Sequence, residues 1–149
     1  MDHILSASLE DYLEAIYNLS QTTREVRSKD IASMLAVSRA SVTGALRILS
    51  ERGFIHYRPY GPISLTAQGQ QLAARVVRRH EVLNRFFGEV LGVDADLARG
   101  TACCAEHSLG PEITPRLTAF VDYVMRSQGK EMSIAGQFQR YWESSCHGK

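Results

Sequence analysis

Apolar residues recur three or four positions apart at the start of the chain, which is the spacing of amphipathic helices. The pattern predicts three such helices, over residues 8–19, 28–35 and 38–52. Each begins at a serine suited to be an N-cap: Ser8, Ser28 and Ser38. The residues expected to face inward on the second helix are Ile31, Met34 and Leu35. Gly53 follows the third helix, where a left-handed residue commonly ends a helix.

Two short apolar runs come next, and they predict a β-hairpin. Residues 54–57 and 63–65 are the strands, and the segment between them places two prolines and a glycine around Tyr60. Three helices followed by a hairpin, or wing, are typical of a winged helix-turn-helix. Residues 1–66 are therefore predicted to form a winged helix-turn-helix DNA-binding domain.

The helical pattern returns after the wing. Thr66 is placed to cap a long helix over 67–90, and Asp94 to begin another over 95–109. A further helix is expected from Pro115. The predicted fold is mainly α, with the winged domain followed by an all-helical domain over 67–126. The remaining 127–149 are expected to be a tail, with a short helix near 138–142.

Charge and composition add a location for the DNA surface. The 149 residues have a net charge of +1, but the segment 24–58 holds seven basic and three acidic residues, a local excess of +4. A local basic bias is typical of a DNA-binding face.

The chain has three cysteines, an odd number that cannot all pair in disulfides, which favours a reducing compartment. Neither a secretory signal nor a membrane span is seen, so a cytoplasmic location is expected.

In a helix-turn-helix, the second helix of the motif lies in the major groove with its N-terminal residues towards the bases. Hydroxyls and guanidinium groups can bond phosphates or base edges, and a methyl group can contact thymine. The candidate DNA-binding residues of the helices are Ser28, Lys29, Ser38, Arg39, Ala40, Ser41, Thr43 and Arg47, and those of the wing are Arg58 and Tyr60. The same module also serves protein binding, and the composition leaves that alternative open.

Candidate metal ligands recur on shared helix faces. Asp11 and Glu14 lie three apart on the first helix, and Cys103, Glu106 and His107 stand at i, i+3 and i+4 on the fifth. His80 lies within the fourth helix, and Cys104 is expected in the core. Each of these residues taken alone is common on helix surfaces or in cores that bind no metal. Together their oxygen, nitrogen and sulfur donors suit a first-row divalent ion better than calcium or magnesium.

Several segments resemble the iron- and manganese-dependent transcriptional repressors, the diphtheria-toxin-repressor and manganese-transport-regulator family (DtxR/MntR). The resemblance covers about residues 8–124. The segments are 9–17 (LEDYLEAIY), 31–32 (IA), 37–38 (VS), 41–43 (SVT), 65–69 (LTAQG), 79–81 (RHE) and 106–107 (EH). It implies a homodimer whose binding to double-stranded operators of metal-uptake genes is activated by metal. It also implies a short form without the C-terminal SH3-like domain.

The resemblance implies a ligand set as well. Asp11, Glu14, His80, Glu106 and His107 match positions used by the manganese-type members. Cys103 departs, because that position is glutamate in the manganese type and cysteine in the iron-type founder. A thiolate shifts preference towards softer, later ions, so iron(II) is favoured and manganese(II) is next.

Two other classes of function are compatible with parts of this pattern. One is a winged-helix regulator that senses redox or another ligand through Cys103 and Cys104. The other is a metalloenzyme, but the chain has no nucleophile–base motif, phosphate loop or zinc-hydrolase signature. The sequence therefore predicts a regulator that is not an enzyme and acts on neither a membrane nor a small organic substrate.

Overall fold

The computed structural model describes residues 5–126 and 133–146 and confirms the predicted fold class. The described part holds seven α-helices and one two-stranded antiparallel sheet. The helices are α1 Ala7–Thr22, α2 Ser28–Leu35, α3 Arg39–Glu51, α4 Ala67–Arg85, α5 Ala95–Glu106, α6 Ile113–Arg126 and α7 Ile134–Cys146, and the strands are β1 Ile55–His56 and β2 Ser64–Leu65. The chain divides into two compact units after Val77, within α4, and each unit is described by itself.

The first unit is built around a core from α1, α2, α3, the hairpin and the first half of α4. The side chains with no exposed surface are Leu13, Ile16, Ile31, Val42, Leu46, Leu49, Ala73 and Val76. Burying a leucine or isoleucine side chain contributes roughly 1.5–3 kcal/mol relative to leaving it exposed. The inward face predicted for α2 is only partly right, because Ile31 is buried but Met34 is 49% exposed.

The helix caps explain where these helices begin. Ser6, not Ser8, caps α1, and its Oγ accepts the backbone N–H of Leu9 (3.4 Å). Ser28 does not cap α2, since the N-cap is Arg27, whose backbone N–H donates to the Asp30 carboxylate (3.1 Å). Ser38 caps α3 as predicted, accepting the N–H of Ser41 (3.1 Å). Each cap satisfies an N–H that the helix itself leaves unbonded.

The wing is a short hairpin anchored to the chain before α2. Its strands pair Ile55 with Leu65 and His56 with Ser64, and the N–H of Ile63 donates to the Val26 carbonyl (2.9 Å). At the tip, the Gly61 N–H donates to the Arg58 carbonyl (3.0 Å), with Pro59 and Tyr60 at the corners. Tyr60 has φ 64°, a conformation that most residues avoid, and its side chain is fully exposed.

The start of α4 is held against the end of α3. The Thr66 hydroxyl accepts the Gly69 N–H (3.1 Å) and donates to the Gly53 carbonyl (2.7 Å). A Cβ on Gly69 would lie 1.9 Å from the Phe54 carbonyl oxygen, so only glycine fits this contact. Gly53 has φ 76°, as its predicted role at the end of α3 requires.

The second unit has its own apolar core. The buried members are Val82, Val90, Val121 and Val124, and Phe86, Leu91, Leu117, Met125, Ile134 and Ala135 pack against them. Arg85 donates to Asp122 (3.1 Å) and lies 3.5 Å from Glu89. The hydrogen bond to Asp122 is the main reason why the pKa of Arg85 is raised above its usual value.

Several helix ends of the second unit differ from those predicted. The helix expected through Val90 is α-helical to Arg85 and π-helical over Phe86–Val90. α5 ends at Glu106 instead of 109, and α6 begins at Ile113, two residues before Pro115. The expected short C-terminal helix is the thirteen-residue α7.

No single helix of the described ranges is long and apolar enough for a membrane span. The pair α2 and α3, which is bent by 114°, meets the criterion of length and composition only when the two helices are taken together.

Candidate metal centre and DNA interface

A buried carboxylate at the end of α5 lies between two imidazoles of the second unit. Glu106 is the last residue of α5 and has no exposed surface. Its Oε2 lies 2.8 Å from Nδ1 of His80, and its Oε1 lies 3.5 Å from Nε2 of His107. Within the second unit, the structure therefore brings His80, Glu106 and His107 together. His80 comes from α4, and His107 is the C-cap of α5.

The chemistry of these three side chains fits a divalent cation. A buried carboxylate is costly unless a positive partner or hydrogen bonds compensate its charge. Neutral imidazoles and carboxylates are ligands that first-row divalent ions accept. When bound, such an ion would supply the positive charge that the buried Glu106 carboxylate favours. His80 and His107 are partly exposed at 24% and 17% of their side chains, so the group is not sealed on all sides.

The buried face of α5 explains where its two cysteines lie. Ala98, Ala102 and Glu106 recur every four residues and are the buried residues of the helix. Cys103 and Cys104 lie off this face, and both are exposed. The expectation that Cys104 is a core residue is therefore wrong. Cys103 is one turn before Glu106 and His107 on α5, as its spacing predicts.

The candidate carboxylates of the first unit lie on α1. Asp11 and Glu14 are half-buried and share a face of the helix through their spacing of three. Glu10, which is not among the candidate ligands, is only 4% exposed. Its burial follows from its spacing of three residues to Leu13, a core residue on the same side of the helix.

The outward face of α3 carries the candidate DNA-reading groups. Arg39, Ala40, Ser41 and Arg47 are exposed, and Thr43 is half-buried. Some hydroxyls already have local partners: Thr43 donates to the Arg39 carbonyl (2.9 Å), and the Ser38 and Ser41 hydroxyls are 2.8 Å apart. A hydroxyl retains acceptor capacity beyond one such bond. The two arginines are then the long side chains of this face.

The remaining candidate DNA contacts lie at the start of α2 and on the wing. Ser28 is the first residue of α2 and is half-buried, and Lys29 beside it is exposed. Arg58 and Tyr60 are exposed at the tip of the hairpin. All ten candidate DNA-binding residues therefore belong to the first unit.

Two family models match the chain one after the other. Residues 4–63 match the model described as iron dependent repressor, N-terminal DNA binding domain. Residues 66–132 match the model described as iron dependent repressor, metal binding and dimerisation domain. The chain belongs to the iron-dependent repressor family. This family consists of metal-dependent, DNA-binding transcriptional regulators and not of enzymes.

Individual relatives agree with the family models. An uncharacterised helix-turn-helix transcriptional regulator of Methanocaldococcus jannaschii is 34% identical over 119 residues, which is 79% of this chain and 95% of the relative. The helix-turn-helix transcriptional regulator MntR of Bacillus subtilis is 32% identical over 127 residues, covering 85% of this chain and 89% of MntR.

A solved structure, a manganese-dependent transcriptional repressor in complex with manganese, is similar with a TM-score of 0.71 and 28% identity over 77% of this chain. The match covers 53% of that solved chain, so this iron-dependent repressor family member spans about half its length.

Proposed function

We propose that the chain is a metal-activated repressor of metal-uptake genes, which binds operator DNA as a homodimer when loaded with iron(II) or, as the second choice, manganese(II). The observation that supports this function best is the buried Glu106 carboxylate with His80 and His107 on its two oxygens. Such a group fits the metal-binding domain whose family model covers these residues. The regulator would act in the cytoplasm, where its DNA lies.

The proposed ligand set adds three side chains to this cluster. Asp11 and Glu14 supply carboxylates from α1, and Cys103 supplies a thiolate from α5. The two carboxylates are half-buried rather than fully solvated. Cys103 stands three residues before Glu106 and four before His107, a spacing that brings helical side chains close together. Nitrogen, oxygen and one sulfur donor together suit iron(II), cobalt(II) or zinc better than magnesium or calcium.

The choice of iron over manganese rests on the thiolate. MntR and the solved manganese-dependent repressor are relatives whose names point to manganese. This chain has Cys103 where manganese-type members have glutamate. A thiolate favours the softer and later ions, and affinity in this series rises from manganese to iron and cobalt. Iron(II) is therefore the proposed activator, with manganese(II) next.

DNA is proposed to be read by α3 and the wing. The N-terminal half of α3 enters the major groove, with Arg39 and Arg47 at base edges or phosphates. Ser28, Lys29, Arg58 and Tyr60 contact the backbone on either side. A homodimer would place two such helices about one helical turn of DNA apart, so its operators should be near-palindromic.

Metal and DNA are coupled in this proposal because the ligands come from both units. An ion held by α1, α4 and α5 restricts the conformations available to the DNA-binding unit, and only some of these match the operator. Since coupling between two binding sites is reciprocal, operator DNA must tighten metal binding by the same factor.

Operator affinity with and without metal tests the proposal. Duplexes would be selected from a random library by the anaerobic, metal-loaded protein, and their dissociation constants measured with iron(II), with manganese(II) and with chelator. We expect chelator to weaken binding by about 5–150-fold, the usual range of allosteric coupling. Glu106→Ala should behave like the chelated protein. Glu112→Ala, which removes an exposed carboxylate of the same unit, is the matched control. Equal affinity in all states contradicts the proposal.

A redox-sensing regulator is the second candidate, and the exposure of Cys103 and Cys104 favours it. Exposed thiols are accessible to oxidants, whereas buried ones are not. Neighbouring thiols on one helix point apart, so a bridge between them would be strained. DNA binding that responds to peroxide but ignores a chelator would support this function in place of metal activation.

A further inference from the structure

Gly44 is an exposed glycine in the interior of α3 that the fold does not require. It is the sixth of the thirteen residues of the helix, and its φ is not positive. A Cβ built on Gly44 meets no atom within 4 Å in the described part of the chain. Alanine would therefore fit here without displacing anything.

Other glycines of the same unit have visible structural reasons. Gly53 has φ 76°, which side chains rarely adopt. A Cβ on Gly69 would lie 1.9 Å from the Phe54 carbonyl oxygen. Glycine is disfavoured inside a helix because it loses the most backbone entropy on folding. Gly44 thus lowers the stability of α3 without a compensating contact inside the unit.

The position of Gly44 on the helix indicates what it is for. The buried side of α3 is formed by Val42, Ala45, Leu46 and Leu49. At about 100° per residue, the positions opposite this side are Ala40, Gly44, Arg47 and Glu51. The surface that faces directly away from the core therefore has one methyl group and one missing side chain over its first two turns.

This is the surface that a helix-turn-helix presents to the major groove. The groove is about 12 Å wide, and a helix with its side chains is about 10–12 Å across, so the helix nearly fills it. Each methyl group on the facing side sets how deeply the backbone can enter. Since the first unit matches a DNA-binding domain, bare backbone at Gly44 has a ligand to approach.

We propose that Gly44 is a specificity-determining residue of the DNA interface, because the missing side chain lets α3 enter the groove deeply enough for base edges to be read. The inference rests on the proposed DNA-reading role of α3. Arg47, which follows Gly44 on this surface, and Arg39, at the start of the helix, reach the bases only at this depth. Phosphate contacts from Lys29 and the wing depend on it less.

The test compares stability with DNA affinity in the metal-loaded protein. Variants Gly44→Ala and Gly44→Leu are measured beside Gly100→Ala, a matched control: Gly100 is an exposed glycine in α5 whose Cβ also meets nothing within 4 Å. Both alanine variants should raise Tm by about 2–5 °C. Gly44→Ala should weaken binding to the duplex selected by the wild type about tenfold, and Gly44→Leu further. Binding to a scrambled duplex should change less than about threefold.

The outcomes separate this inference from the proposed function. If the wild type does not distinguish selected from scrambled duplex, the proposed function fails. If it does, and Gly44→Ala binds as the wild type binds, the inference alone is overturned. A fall in Tm for Gly44→Ala would show a role in folding and also overturn it. An equal loss of affinity in Gly100→Ala would assign the effect to helix stiffening, with the same consequence.

Discussion

Replacing Glu106 with glutamine separates a metal ligand from a structural ion pair. The change keeps the size of the side chain and an oxygen for His80, 2.8 Å away, but it removes the negative charge. If the carboxylate served only to pair with the histidines, losing a buried ion pair would destabilise the metal-free protein by about 3–5 kcal/mol. If it serves a metal, its buried charge carries a desolvation cost that only a bound ion fully offsets, so the stability of the metal-free variant should lie within about 1 kcal/mol of the wild type or above it.

The extra stability that a bound metal ion gives to the native protein should, in contrast, fall in Glu106→Gln. A ligand at a hundred times its dissociation constant stabilises the native protein by about 2.7 kcal/mol. For a chain of this size that corresponds to a rise in Tm of roughly 5–10 °C. We expect this rise in the wild type with manganese(II), and no more than about a fifth of it in Glu106→Gln at the same ion concentration.

The measurement is thermal unfolding followed by circular dichroism, with each protein in chelator and in manganese(II). Glu112→Gln is the matched control, because it removes an exposed carboxylate that lies 3.7 Å from Arg116 at the surface of the same unit. That variant should show the full metal-induced rise. The reasoning is refuted if manganese(II) raises the Tm of Glu106→Gln as much as that of the wild type, or if the metal-free variant is destabilised by several kcal/mol.

Three further predictions concern fold, metal choice and DNA. Gly69→Ala should destabilise the protein by about 2–4 kcal/mol in urea unfolding, because its Cβ would overlap the Phe54 carbonyl; a change below 1 kcal/mol would contradict this close contact. Cys103→Ser should lower affinity for cobalt(II), measured by competition, about tenfold more than affinity for manganese(II), whereas Cys104→Ser should change neither; equal effects of the two variants would remove Cys103 from the ligand set. Tyr60→Ala should leave Tm unchanged or slightly higher but weaken operator binding about five- to tenfold, and unaltered binding would exclude the wing tip as a contact.

The sequence predicted the helices of the first unit well because their apolar spacing is strong. The bounds of α2 agree to the residue, and those of α3 differ from the prediction by one residue at each end. The caps were harder to predict. Ser6 and Ser8 both suit an N-cap, and the choice depends on which residue has extended backbone, as Ser6 does with ψ 156°. Helical spacing also gave Met34 an inward position, although it lies at the edge of the buried stripe.

The second unit was harder because its helices have weaker boundaries. Nothing in the spacing of apolar residues distinguishes an α-helical from a π-helical last turn, so the change at Phe86 could not be predicted. The buried face of α5 consists of two alanines and a glutamate, so hydrophobicity placed Cys104 inside in error. The association of His80 with Glu106 spans 26 residues of sequence, and only the packing of α4 and α5 within the unit brings them to 2.8 Å.

The complete burial of Glu106 has a kinetic consequence if its carboxylate holds an ion. Since this side chain has no exposed surface, an ion on it would exchange with solvent only past the partly exposed His80 and His107, however weak or strong its equilibrium binding. The time needed to respond to metal depletion is then limited by how often these two side chains move aside. Raising the concentration of an external chelator would not shorten it beyond that limit. A repressor built in this way would keep its ion for some time after the metal supply falls, and gene expression would follow the cell's metal level with a delay.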